Sequence, residues 1–370
     1  MSKRLVIAGG GHAHMLTLVH LEEFVEKGFE VTVIGPDTHH YYSGMGPGML
    51  GGTYRPEDIR FATRDLVEKK GGLFKQAKVI GIHPIERTVR LSSGEVIPYD
   101  VLSCNLGSQV PEELVQGPLD DIFPVKPIEG LYRAKLRILE LGTKKEIRIA
   151  VVGGGPSAVE IAGNIWRLGQ EPGMQQPTIT VFTGHSILPH HPAGVRRRAS
   201  ASLASRSIKV INNSRVQQIQ TGQITDTEGA THEFDLIFIA VGVRPNKVIG
   251  DSGIPTGPQG GMLVNRYLHS TKYEHIFGGG DCIDLQDRPL DKVGVYAVRQ
   301  NPILKHNLMA SLTGERLLPF KPGGEYLLIF NLGNGTGILK KWSVVLNGRV
   351  SFLIKDWIDR KFMRIFQAFE

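Results

Sequence analysis

The chain has 370 residues, of which 41% are hydrophobic and 21% charged, with a formal net charge of +7. That length predicts two or three domains rather than one core, and the composition is that of an ordinary globular protein. No apolar run approaches the roughly 18 residues of a membrane span, and the basic residues form no nucleic-acid-binding motif. Cys104 and Cys282 stand too far apart for a CxxC metal or redox site and read as small buried hydrophobes.

The N-terminus enters a strand almost at once, which leaves no room for a signal peptide and predicts a cytoplasmic protein. Leu5-Val6-Ile7-Ala8 reads as a buried parallel strand, Gly9-Gly10-Gly11 as a tight turn, residues 15–21 as a helix and residues 30–34 as a second strand. A glycine-rich loop follows over residues 41–49 and must lie against another part of the protein. Residues 77–82 predict a strand, residues 88–94 a hairpin, and residues 99–108 a strand that ends in a glycine turn at Gly107.

The second half repeats the plan. Ile149-Ala150-Val151-Val152 leads into Gly153-Gly154-Gly155, then into a helical pattern through Val159-Glu160-Ile161-Ala162. Residues 208–211 and 234–242 echo the later strands of the first half, and the Gly- and Pro-rich residues 251–261 read as a crossover. Residues 275–281 form a strand into another glycine turn, Gly278-Gly279-Gly280-Asp281, which carries an acid. A helix is predicted over 301–312 and short strands over 326–330 and 343–346. In the last segment Ile354, Trp357, Ile358, Phe362, Ile365, Phe366 and Phe369 recur at helical spacing, with Lys355, Asp356, Asp359, Arg360, Arg364 and Gln367 between them. This amphipathic helix over 354–369 can cover the core, face a second copy of the chain or lie in a membrane surface.

Strand, glycine turn and helix N-terminus together make a pyrophosphate cradle, because glycine admits close backbone approach and the helix end offers free N–H groups. One such turn is weak evidence; two in one chain predict two dinucleotides and electron transfer between them. The pairs His39-His40 and His190-His191 lack partners at ligand spacing, so no metal is expected. Much of the positive charge lies in Arg196-Arg197-Arg198 and the C-terminal segment. The arginine triple reads as a solvated helix face, with a grip on a 2′-phosphate as the alternative.

With these residues in view, the chain resembles the two-dinucleotide-domain flavoproteins, the group that holds type II NADH dehydrogenases, sulfide:quinone oxidoreductases and disulfide reductases. It is most similar to the NADH dehydrogenase branch. Within that branch, Gly9-Gly10-Gly11-His12-Ala13-His14, Tyr42-Ser43-Gly44-Met45 and residues 355–363 resemble the module that some bacteria carry fused to selenophosphate synthase. The resemblance implies FAD at the first loop, with Gly9, Gly11, His12, Ala13, Gly44, Met45, Gly107, Ser108, Gly280 and Asp281 around it. It implies NAD(P)H at the second, with Gly153, Gly155, Pro156, Ser157 and Gly242. Glu160 falls where the family has a glutamate beside the reacting rings, and Gln300 where the dehydrogenases approach a quinone.

The implied fold is α/β: two Rossmann-like doubly wound dinucleotide-binding domains in a glutathione-reductase-like arrangement, plus a small C-terminal α+β domain. The expected division is 1–115 with 262–322 for FAD, 116–261 for NAD(P)H and 323–370 for the last. The chain departs from the pattern where His14 replaces the third glycine, a bulk expected to crowd helix against strand. It departs again where Gly35 and Thr183 replace the acids that hold ribose hydroxyls, and where Val295 replaces a glutamine of the quinone stretch. The expected function is an FAD-dependent NAD(P)H dehydrogenase that passes electrons to a quinone or other small acceptor, cytoplasmic or peripheral on the inner membrane face. Its alternatives are oxidation of a reduced sulfur or selenium species, and a nucleotide-binding redox sensor or scaffold.

Overall fold

Two parallel sheets of the same plan form the core of the protein, described for residues 2–111 and 113–370 in a computed structural model. In the first, the strand order is Ile276–Gly278, Val101–Cys104, Arg4–Ala8, Glu30–Gly35 and Leu73–Gln76. In the second it is Ile122–Pro124, Leu236–Ile239, Arg148–Val152, Thr178–Phe182 and Lys209–Ile211. All neighbours run parallel. Residues 5–8 and 149–152 are buried throughout, which is why both strands read as continuous apolar runs. Each glycine turn leaves the central strand of its sheet, where the strand order reverses and α/β sheets bind their ligands.

The repeat extends to detail. Each unit carries a three-stranded antiparallel meander, Val79–His83 with Thr88–Leu91 and Val96–Pro98 in one, Val216–Gln220 with Gln223–Asp226 and Thr231–Glu233 in the other. The units are tied directly where Ser108–Gln109 pairs antiparallel with Arg244–Pro245, just beyond Gly107 and Gly242.

Two elements differ from the sequence reading. The helix predicted over 301–312 runs from Gly294 to Thr313, through Pro302. Proline ends most helices, but this one packs along the first glycine turn and its helix, and Asn301 Oδ1 accepts the Leu16 amide at 2.9 Å. The C-terminal unit holds three antiparallel strands rather than two, Leu328–Asn331, Gly337–Lys341 and Val344–Gly348. The middle one was hidden by the glycine-rich turn before it. The helix Arg349–Gln367 closes the unit.

The sequence left the orientation of that helix open. Lys355 and Asp359 are 8% and 4% exposed and share the inner side with Ser351, Met363 and Phe366. Val350, Leu353 and Trp357, at helical i, i+3 and i+7, are 64%, 60% and 59% exposed. The two buried polar residues, Lys355 and Asp359, face the polar groups described next.

Candidate functional site

The two glycine turns are built alike. Gly9 has φ +96° and a Cβ there would come within 2.2 Å of the Asn105 carbonyl oxygen; Gly153 has φ +137° and the same distance to that of Ala240. Both positions therefore require glycine. The Gly9 amide donates to the Ile34 carbonyl, and that of Gly153 to Phe182, each at 2.8 Å. Downstream the turns diverge. Pro156 opens an α-helix directly after Gly155, which has no side-chain cap, and Ser157 lies exposed in its first turn. After Gly11 the chain makes a 3-10 turn over His12–His14 before the helix begins at Met15.

His14 ends that turn and is seated rather than crowded. Fully buried, it bonds the Gly9 carbonyl through Nδ1 at 2.6 Å and Ser103 Oγ through Nε2 at 2.7 Å. A carbonyl only accepts, so Nδ1 carries the proton and Nε2 accepts from the Ser103 hydroxyl. Burial pushes the imidazole down to about 4, so it stays neutral in that tautomer. His14→Gly restores the family's glycine but strips partners from two buried groups, at about 1–3 kcal/mol each. Stability, read by urea melts, is expected to fall by that amount; an unchanged melt refutes this role for the ring.

Around the first turn lie buried polar atoms without a partner. His12 Nε2 and Asn105 Nδ2 have no hydrogen-bond partner among the described residues. Asp281 Oδ2 accepts from Lys126 Nζ at 2.6 Å and Ser108 Oγ at 2.7 Å. Burial alone raises the Asp281 carboxyl, but Lys126 and Ser108 outweigh it and hold it below the usual range. Gln300 is buried, with Oε1 accepting the Gly280 amide at 2.7 Å, so it braces the turn that carries Asp281. Ala13 and Met45 are buried; Gly11 and Gly44 lie partly open. A glycine cradle, two unpartnered polar nitrogens and an ionised carboxylate with a lysine fit the pyrophosphate and the hydroxyl-bearing chain of FAD.

Glu160 lies on the helix Pro156–Leu168, where the second unit meets the C-terminal unit. Its Oε1 accepts the Asn331 amide at 2.7 Å. Burial raises its carboxyl to about 7, against the pull of Lys355 and that amide. Lys355 Nζ donates to the Gly44 carbonyl at 2.7 Å and to Asp359 Oδ2 at 2.6 Å, and Tyr42 Oη donates to Asp359 Oδ1 at 3.0 Å. The Tyr42 ring also stacks on Phe362, with centroids 4.9 Å apart, and His12 lies 5.1 Å from Tyr42. The C-terminal unit thus reaches both glycine units, the second through Asn331 and the first through Lys355.

Sequence reasoning missed Lys126, Asn105, Lys355 and Asp359. Lys126 and Asn105 carry one usable signal: each follows the carboxyl end of a parallel strand, where such sheets bind ligands. Both cysteines are fully buried, and burial pushes the Cys104 thiol well up and that of Cys282 to about 11. Neither offers a thiolate to the site.

The model of the pyridine nucleotide-disulphide oxidoreductase family matches residues 3–304. A demethylphylloquinone reductase, NdbB, of Synechocystis is 27% identical over 95% of this chain and 90% of its own length. Among solved structures, NDH2 from Plasmodium falciparum in complex with NADH superposes with a TM-score of 0.81, 15% identity and coverage of 100% of this chain and 98% of that one. The sulfide:quinone oxidoreductase of Aquifex aeolicus gives a TM-score of 0.78, 20% identity and coverage of 100% and 92%.

Proposed function

The chain belongs to the pyridine nucleotide-disulphide oxidoreductase family, and from that premise we propose that it is an FAD-dependent NAD(P)H:quinone oxidoreductase. The observation that carries the reading is the pair of matching glycine turns, with the C-terminal unit reaching the second unit at Glu160 and the first through Lys355. We assign 1–115 with 262–322 to FAD, 116–261 to NAD(P)H and 323–370 to the acceptor side. FAD, when bound, accepts hydride from the nicotinamide and passes electrons on. The protein's own part is placement: His14 and Asn105 shape the pyrophosphate turn, and Asp281, Lys126 and Ser108 face the rest of the cofactor. Gln300 acts in this reading by holding the Asp281 turn. The NdbB relative, named as a quinone reductase, supports a quinone as acceptor. The buried, high-pKa cysteines give no support to cysteine-based sulfide oxidation.

Anaerobic titration of the holoprotein tests this directly. NADH or NADPH is expected to bleach the flavin, and a quinone to restore its colour. A flavin that stays oxidised with both nucleotides but bleaches with sulfide overturns the reading.

The outward apolar side of the last helix points to peripheral membrane docking, where a quinone dissolves. No helix among the described residues is long and apolar enough to cross a membrane. The C-terminal unit exposes Trp342, Val344 and Leu346 besides Val350, Leu353 and Trp357, with Lys361 over the Trp357 ring at 5.1 Å. Aromatic and aliphatic groups edged by cations suit an anionic lipid surface. At about 1.5–3 kcal/mol per buried side chain, Leu353→Ala with Trp357→Ala is expected to cut co-sedimentation with anionic liposomes by more than about ten-fold. If sedimentation persists, membrane docking through this side is wrong; if the double variant instead splits a dimer, the side is a subunit interface.

A further inference from the structure

The strand Thr178–Phe182 ends at Thr183, the position where an acid would bind the two ribose hydroxyls of NADH. Thr183 is buried and uncharged, and its Oγ1 is engaged with the Ser186 carbonyl at 3.2 Å. The loop after it is stitched to the loop after the next strand. The Thr183 amide donates to the Ile211 carbonyl, that of Ser214 to Thr183 and that of Asn213 to His185, each at 3.0 Å. It is also tied to the glycine turn, since the Leu188 amide donates to the Gly154 carbonyl at 2.7 Å.

Beside these loops opens a cleft of about 480 Å³ lined by Ser186, Arg196, Arg197, Ser200 and Asn212, with no carboxylate in its wall. The arginine triple is split here. Arg198 is turned away to the Gly194 carbonyl at 3.0 Å and Asn347 Oδ1 at 3.4 Å. Arg196 and Arg197 are exposed and make no side-chain hydrogen bond or ion pair among the described residues. Two unpaired guanidinium groups with serine and asparagine donors, one loop from a dinucleotide turn, match a phosphate dianion rather than a ribose diol.

We propose that this cleft is a 2′-phosphate subsite, which makes the chain selective for NADPH over NADH. The inference rests on the nicotinamide reading of the second glycine turn and adds the choice of nucleotide to it. Arg196 and Arg197 are the specificity-determining residues, and the neutral Thr183 removes the charge that would repel the phosphate.

The test uses redox-inert fragments, so binding is read apart from turnover. Calorimetry on the FAD-loaded full chain compares 2′-phospho-ADP-ribose with ADP-ribose. The phosphorylated fragment is expected to bind about ten-fold tighter or more, with a preference that shrinks as salt rises. Arg196→Ala with Arg197→Ala is expected to abolish that preference while leaving ADP-ribose binding in place. Equal affinity for the two fragments, or a preference that survives the double variant, overturns the subsite and leaves nicotinamide binding intact. Failure of both fragments to bind, with a flavin that neither nucleotide bleaches, overturns the subsite and the nicotinamide reading together.

Discussion

Lys355→Met is expected to destabilise the protein by about 3–5 kcal/mol at mildly alkaline pH, the usual cost of removing one partner from a buried ion pair. The pair is well enclosed: the side chains of Lys355 and Asp359 are 10% and 5% exposed. With lysine gone, Asp359 keeps only the Tyr42 hydroxyl, and the Gly44 carbonyl loses its donor. Burial already raises the Asp359 carboxyl despite Lys355, so the variant raises it further. A carboxyl whose folded pKa lies above its unfolded value binds more protons when folded, and stability falls as pH rises through that window. The deficit should therefore be largest at alkaline pH and shrink in mild acid, where Asp359 takes up a proton. Lys355→Met with Asp359→Asn should recover much of the loss at alkaline pH. Urea melts of all three proteins at two pH values decide the matter. Equal stability of parent and Lys355→Met at alkaline pH would show that the pair does not hold the helix.

Lys355 also marks the limit of what the sequence disclosed. The glycine turns were legible because their chemistry is local: a strand, a positive φ and a helix end all lie within one short segment. Gln300 was placed by resemblance where a quinone approaches; its bond to the Gly280 amide was not foreseen, because it depends on how a long helix lies across the sheet. His14 was visible as a departure, but Ser103, which makes room for it chemically, is distant in sequence. The last helix was legible as amphipathic and illegible in its orientation. Periodicity separates two sides without saying which turns inward. Here a lysine and an aspartate four residues apart pair with each other, with Gly44 and with Tyr42, so the inner side can be polar. Of the apolar residues, Phe362 and Phe366 pack on Tyr42 and Phe61, while Val350, Leu353 and Trp357 stay exposed.

Glu160→Gln is expected to slow quinone turnover by about 10²-fold, within the range for loss of a positioned proton donor. The stoichiometry sets the need. NAD(P)H supplies two electrons and one proton as hydride, whereas a quinone becomes a quinol by taking two electrons and two protons, so one proton must come through the protein. Glu160, raised by burial to about 7, is a carboxylic acid below that pH and a carboxylate above it, and can give and regain a proton at neutral pH. The Asn331 amide fixes the orientation of its Oε1. Turnover in the parent should hold below the break and fall as pH rises through about 7, because the proton-bearing form is lost. A carboxamide in place of the carboxyl cannot titrate, so the variant's profile should be flat and low across that range. Lys355 pulls the Glu160 pKa down, so Lys355→Met should move the break to higher pH, a shift that simple loss of packing would not produce. Anaerobic bleaching by nicotinamide should fall far less than turnover in Glu160→Gln, since hydride transfer itself needs no second proton. A break that stays in place in Glu160→Gln would assign the titration to another group. Equal slowing of bleaching and turnover would place Glu160 in the hydride step instead.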